Sequence, residues 1–284
     1  MNNGRAQAGL RPTSDLGFKK ILASEDHKTI TQGFIKDFFG LQVDLDDIHI
    51  INPYSIHAIE ESTDGEAAQK LRQTLRDITI QVDSTDLAVE MQVRREGHFI
   101  QRALYYLDDL YVSHYNQHQH RYMDLRPVWS MNLMGHQLFD DQRALHTFSL
   151  RDDLTCQPLR PVLTKLGFFE LTKTETTPEL TRWRDFLLTG DTQDGDPSYI
   201  CSAADIIRWV NLSQKERNMD KLLEKAIADQ EDALDYAREE GIEQGTRETQ
   251  LANARVALRM GLAHADVAEI TGLDPATIDQ LAQE

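Results

Sequence analysis

The sequence predicts a mixed α/β domain followed by a helical C-terminal extension. Three observations predict it. Leu75 to Val93 alternates apolar and polar residues with period two across a polar break, the pattern of a β-hairpin. Apolar residues at helical spacing flank that hairpin on both sides. The second half of the chain is polar, glycine-punctuated and rich in helix formers.

The elements follow in order. Residues 1–12 read as a leader without structure. Thr13, Ser14 and Asp15 offer N-caps to a helix containing Phe18, Ile21 and Leu22. A second helix carries Ile30, Phe34, Ile35, Phe38 and Phe39, with Gly40 as its stop. Ile48 to Ile51 is a short strand, and Glu60 to Lys70 a loop. After the hairpin, Phe99, Ala103, Tyr106, Leu107 and Leu110 mark one face of a helix that runs to about Tyr115. Val128 to Phe139 and His146 to Leu150 are strands, with Trp129, Met131 and Leu133 as core positions. Thr177-Pro178 starts a helix through Trp183 and Leu188. Ser213 and Glu216 form a capping box for a long helix, whose polar continuation Gly241 and Gly245 interrupt. The expected division is a core over residues 13–155, a mainly helical extension over 156–212, a long polar helix or linker over 213–245, and a small helical tail over 246–284.

Composition narrows the function classes. No run of about 18 apolar residues exists, so no membrane span is expected, and Met1 to Thr13 lacks the apolar stretch of a signal peptide. Two scattered cysteines, Cys156 and Cys201, suit a reducing compartment and offer no zinc motif. A cytoplasmic location is expected. Net charge is −17, which runs against nucleic-acid binding. The charge is uneven, however. Residues 1–130 carry 14 Lys/Arg against 19 Asp/Glu, and residues 131–284 carry 16 against 28. The first half is therefore the nearer to neutral and has room for a local basic groove.

The hairpin carries the candidate chemistry. Pairing Val82 with Leu87 sets Ile80 opposite Val89 and Ile78 opposite Met91, with Val93 beyond them on one apolar face. The other face then gathers Thr79 opposite Glu90 and Asp77 opposite Gln92. Asp77 and Glu90 become diagonal neighbours, about 7–8 Å apart along the backbone. Two carboxylates at that separation suit one Mg²⁺ or Mn²⁺, which takes one or two carboxylates plus waters and phosphate oxygens. Such an ion lowers the pKa of bound water and stabilises charge on a phosphoryl oxygen. Gln92 can orient water or bind a phosphate oxygen, but it is neither a cation nor a base. The plain alternative is a half-buried hairpin with one solvated face. Against it stand Asp77, a poor strand former at an inward-facing position, and the positive charge of Arg94, Arg95 and Arg102 close by.

Residues 13–150 resemble the PD-(D/E)XK nuclease family transposases, the recombination-promoting nucleases associated with mobile elements. The resemblance rests on Thr-Ser-Asp-Leu-Gly-Phe-Lys-Lys (13–20), Arg-Asp-Ile-Thr-Ile-Gln-Val (76–82), Val-Glu-Met-Gln (89–92) and Phe-Ile-Gln-Arg-Ala-Leu-Tyr-Tyr (99–106). It implies an αβββαβ restriction-endonuclease-like core and Mg²⁺-dependent cleavage of DNA. It also implies Asp77 and Glu90 as metal ligands, with Gln92 where the superfamily usually has Lys. Position 76 is Arg where the superfamily name has Pro. By the same resemblance Asp15, Lys19 and Arg102 are candidate accessory residues, with Asp15 toward the metal and Arg102 toward phosphate. Asp15 reads more readily as a helix N-cap, and Arg102 equally as a salt-bridging helix residue. Arg94 and Arg95 are candidate contacts to the DNA backbone.

Two other signals carry less. His114, His118 and His120 suit a solvated helix end better than a metal site, because no His-Glu-x-x-His pattern completes them. The last three helices resemble a helix-turn-helix, yet Asp274 to Glu284 has no basic residue to read a groove. Packing or homo-oligomerisation is the expected role of this tail. Two functions therefore stand: a metal-dependent endonuclease, and a nuclease-fold module of weak or no activity that binds or assembles.

Overall fold

Three antiparallel strands open the sheet, and a crossover helix then turns it parallel. The structure is a computed structural model that describes residues 9–52, 54, 77–95, 97–117 and 121–283. Ile48–Ile50 (β1), Asp77–Val82 (β2) and Thr85–Gln92 (β3) pair antiparallel. β3 then pairs parallel with Val128–Met134 (β4). Leu145–Phe148 (β5) lies at the far edge, antiparallel to Thr164–Glu170 (β6), which is itself parallel to β4. The sheet order is β1-β2-β3-β4-β6-β5. Parallel neighbours need a long connection, and the 19-residue helix between β3 and β4 supplies it. The expected loop Glu60 to Lys70, Leu75 and Arg76 of the hairpin, and His118 and His120 lie outside the described residues.

The hairpin differs from expectation in its register. Its turn is only Asp83-Ser84, with Asp83 at φ 49°, a left-handed conformation that Asp tolerates better than most residues. Thr85 and Asp86 therefore join β3. Val82 pairs with Thr85, Ile80 with Leu87, and Asp77 with Glu90. The shift from the expected pairing is two residues, so every side chain keeps its face. Alternation alone detects only a one-residue slip. Ile78, Ile80, Val82, Leu87, Val89 and Met91 are all buried as expected, whereas Val93 is exposed.

β6 lies inside the segment expected to be mainly helical. Its Leu-Gly-Phe-Phe core is a continuous apolar run rather than an alternating one, because both faces of the sheet are covered there. Phe168 meets Phe99 edge-on at 6.2 Å on one face, and Phe169 meets Phe38 at 5.1 Å on the other. β4 stops at Met134 rather than Phe139. The buried carboxylate of Glu170 accepts from the backbone N–H groups of Leu138 and Phe139 and binds Lys173 Nζ at 2.7 Å, which turns the chain away from the sheet.

Helices Asp15–Leu22 (α1) and Lys28–Phe34 (α2) cover the face that carries Phe169. Ser14 caps α1 by accepting from Gly17 N at 3.1 Å. α2 runs on through a π-turn, Ile35–Phe39, to Gly40 at φ 69°. Phe99–Gln117 (α3) covers the opposite face. Pro178–Thr189 (α4) and Ser198–Ile207 (α5) pack with α2 around Trp183, which is fully buried. Trp183 meets Phe34 edge-on at 5.4 Å and stacks on Tyr199 at 5.9 Å. The Asp37 carboxylate accepts from both the Trp183 indole at 2.9 Å and the Tyr199 hydroxyl at 2.6 Å.

The chain divides into two units, Met1–Asp220 and Lys221–Glu284. Gln214–Arg259 (α6) is a single helix of 46 residues, so Gly241 and Gly245 do not interrupt it. A helical Gly costs only about 1 kcal/mol, and the flanking Glu, Gln and Arg are good helix formers. The capping box forms as expected: Ser213 N donates to Glu216 Oε2 at 2.7 Å, and Glu216 N donates to Ser213 Oγ at 3.2 Å. Glu216 Oε1 also accepts from Lys20 Nζ and, at 2.7 Å, from Tyr54 Oη. In the second unit, His264–Thr271 (α7) and Pro275–Leu281 (α8) bury Val267 and Ile278 with Ala254 of α6. Among the described residues no helix is long and apolar enough to cross a membrane.

Two stability predictions follow from these contacts. Trp183→Ala is expected to cost about 3–5 kcal/mol by urea denaturation, since a fully buried indole leaves a cavity and Asp37 loses one of its two donors. Burial pushes the Glu216 carboxyl up, but hydrogen bonds from Lys20, Tyr54 and Ser213 outweigh it and hold its pKa at about 2. Its folded pKa lies below the ordinary value, so its stabilisation is complete above about pH 4.5 and lost as pH falls toward 2. Glu216→Gln is expected to cost about 1–2 kcal/mol at neutral pH, and the gap from wild type should close in acid melts across that window. A gap independent of pH would remove the charge from the explanation.

Candidate active site

The site builds from β3 outward. Successive residues of a strand alternate faces, so Asp86, Ala88, Glu90 and Gln92 share the face that α3 covers. Asp77 opens β2, and its Cα pairs directly with that of Glu90. Cβ atoms at directly opposed positions lie about 4.5–5.5 Å apart, closer than the diagonal placement the alternation suggested. On the other side of β3, Glu90 pairs with Asn132 of β4.

Arg102, on the first turn of α3, joins the two polar residues at the end of β3. Its Nη2 donates to Glu90 Oε1 at 3.1 Å and to Gln92 Oε1 at 2.8 Å. The Gln92 side chain is fixed at both ends, since its Nε2 donates to Arg94 O at 2.7 Å. Gln92 is 2% exposed. The Glu90 side chain is 12% exposed and that of Arg102 28%. The guanidinium also lies over the Phe99 ring, 5.0 Å from its centre. The salt bridge read for Arg102 is present, with Glu90 as its partner. Arg94 and Arg95 are exposed just past β3.

Asp15 and Lys19 sit one turn apart on α1, Asp15 half-buried and Lys19 buried. Ser14, not Asp15, is the N-cap. Asp15 is therefore the first helical residue, a position where a carboxylate suits the helix dipole.

A cleft of about 220 Å³ opens beside Glu90 between α3 and β2–β4, with Thr79, Tyr106, Asp109, Ser130 and Asn132 among its lining residues. Asn132 is 1% exposed and donates to Gly167 O at 2.9 Å and Ser130 Oγ at 3.3 Å. Sequence reasoning passed over Ser130 and Asn132. Their signal was present: they are the two polar positions at even spacing in an otherwise apolar strand.

The far end of α3 is pinned as well. His114 is buried, not solvated as expected, and its Nε2 lies 2.7 Å from Asp86 Oδ2. Arg126 Nη2 donates to the same oxygen at 3.3 Å. α3 is thus held to β3 at both ends, Arg102 over Glu90 and Gln92, His114 over Asp86.

Among the described residues no group of three or more His, Cys, Asp and Glu side chains is arranged to hold a metal. Glu90, with Asp77 set opposite it by the strand register, nonetheless offers the residue types that Mg²⁺ takes, since Mg²⁺ keeps several waters and needs only one or two protein carboxylates. No match was found among curated proteins or among solved structures. The model of the PD-(D/E)XK nuclease family transposases matches residues 12–237. That stretch contains the whole six-stranded mixed sheet, every helix packed on it and each residue of the site just described, and by that match the chain belongs to the PD-(D/E)XK nuclease family of transposases.

Proposed function

We propose that the chain is a divalent-metal-dependent DNA endonuclease of the recombination-promoting type. The observation that carries this reading is the direct pairing of Asp77 with Glu90 beside a fixed Gln92. Family membership supports a nuclease or transposase function. The finer reading adds an αβββαβ catalytic core, Mg²⁺ or Mn²⁺ as cofactor, DNA as substrate and a cytoplasmic setting.

In this reading Asp77 and Glu90 hold the ion. When bound, a divalent cation supplies Lewis acidity to a phosphoryl oxygen and lowers the pKa of water. Gln92 orients rather than ionises. Its Oε1 has two lone pairs, enough to accept from a water at the site. Arg94 and Arg95 hold the backbone of the DNA electrostatically. The N-terminal end of α3 lies beside the site and adds a favourable dipole for phosphate.

A second reading rests on a separate observation, the concentration of acidic residues after residue 130. It makes the chain a weakly active or inactive nuclease fold whose helical C-terminal region mediates self-association.

Nicking of supercoiled plasmid with Mg²⁺ or Mn²⁺ separates the two. Under the first reading Asp77→Ala and Glu90→Ala each lose about 100-fold or more in rate, the scale seen when one electrostatic element of a transition-state site is removed. Cleavage that survives in both variants removes Asp77 and Glu90 from the mechanism. An inactive wild type that forms larger species with concentration by light scattering favours the second.

A further inference from the structure

We propose that Arg102 is an exchange latch: it neutralises Glu90 while the site is metal-free, yields that carboxylate to the divalent ion, and is thereby released toward the DNA phosphate. The proposal rests on the reading of Asp77 and Glu90 as metal ligands.

The argument begins with the buried anion. Glu90 lies at 12% exposure, and a carboxylate so placed requires a cation or strong donors. Arg102 contributes to that compensation through Nη2, whose bonds to Glu90 Oε1 and Gln92 Oε1 measure 3.1 and 2.8 Å. A divalent ion on the Glu90 carboxylate would compete for the oxygen that Arg102 occupies. Two cations sharing one carboxylate in a partly desolvated site repel strongly, so ion binding and the Arg102–Glu90 bond oppose each other.

Arg102 also has somewhere to go. More than a quarter of its side chain is already exposed. Phe99, one helical turn earlier, holds the guanidinium by its face at 5.0 Å, a contact that does not depend on Glu90. Gln92 does not collapse when Arg102 leaves, because Arg94 O holds its other end at 2.7 Å. A freed guanidinium is a planar fork suited to phosphate oxygens. The charge that the superfamily's strand Lys would bring is thus delivered from the helix, and only after the metal is in place.

Exchange has a consequence that simple positioning lacks. Occupation of Glu90 by Arg102 lowers the apparent affinity for metal, as any competing bound state does. Removing Arg102 should therefore tighten metal binding while slowing cleavage. The test is Mn²⁺ titration of the full chain by calorimetry, run on wild type, Arg102→Gln, Arg102→Lys and Glu90→Gln, each checked for folding by thermal melt.

Arg102→Gln is expected to bind Mn²⁺ about tenfold more tightly than wild type and to nick plasmid at least tenfold more slowly. Arg102→Lys, which keeps the charge, should move Mn²⁺ affinity back toward wild type. Glu90→Gln should lose Mn²⁺ binding. If Glu90→Gln loses Mn²⁺ but Arg102→Gln binds it equally or more weakly than wild type, the latch is wrong and the metal site stands. If Glu90→Gln binds Mn²⁺ as wild type does, the metal-site reading itself is wrong. Should Arg102→Gln fail to fold, Arg102→Lys decides alone: Mn²⁺ affinity within twofold of wild type and slowed nicking uphold the latch, and weakened Mn²⁺ binding overturns it.

Discussion

The parallel pairing of β3 with β4 is the constraint from which the site follows. Two adjacent parallel strands cannot be joined by a turn, so the chain must leave the end of β3, cross a face of the sheet and re-enter at the start of β4. α3 makes that crossing. Its first turn must lie over the end of β3 and its last turn over the beginning. The residues at the end of β3 on that face are Glu90 and Gln92, and the one at the beginning is Asp86. Arg102 and His114 meet them there. Twelve residues of helix span about 18 Å, enough to cover the strand between these anchors. The polar residues of β3 are therefore not scattered over a solvated face. They are the two ends of a helix dock, and the cleft beside Glu90 lies between them.

The same crossing decides what is buried around the site. α3 lies over β4 and β6, where Phe99, Ala103 and Leu107 seal against Val128, Leu166 and Phe168. β2 and the outer part of β3 are left less covered on that face, and the cleft beside Glu90 occupies the gap. On the opposite face, α1 and α2 meet the buried apolar side chains Ile78, Ile80, Val82, Leu87, Val89 and Met91. Polar chemistry is thus confined to one side of the hairpin by the packing demand of the other.

Much of this could be read from the residues. Parity fixed the faces of the hairpin, capping residues located α1, α4 and α6, and the site residues were named from one face of two strands. What escaped has physical causes. A two-residue slip preserves parity, so the direct pairing of Asp77 with Glu90 was invisible to an alternation argument. β6 carries no alternation because both its faces are covered, and a short apolar run does not distinguish strand from helix. His114 looked like a helix-end residue because its partner, Asp86, is 28 positions away. Arg102 had two equal readings for the same reason: its bonds depend on how far α3 returns along β3, a tertiary fact.

The substitution of Gln for the expected Lys at the end of β3 is intelligible in these terms. Position 92 is almost fully buried, and an ammonium there would lose most of its hydration. A neutral amide avoids that cost and satisfies both its ends locally, through Arg102 and the Arg94 carbonyl. The positive charge sits instead on a side chain that reaches in from the helix and retains a route to solvent. This separates two tasks that a single Lys would combine. The buried residue fixes geometry, and the partly exposed one carries charge. In a chain of net charge −17, the cation that balances Glu90 is thus carried on a partly exposed helix side chain rather than locked into the sheet.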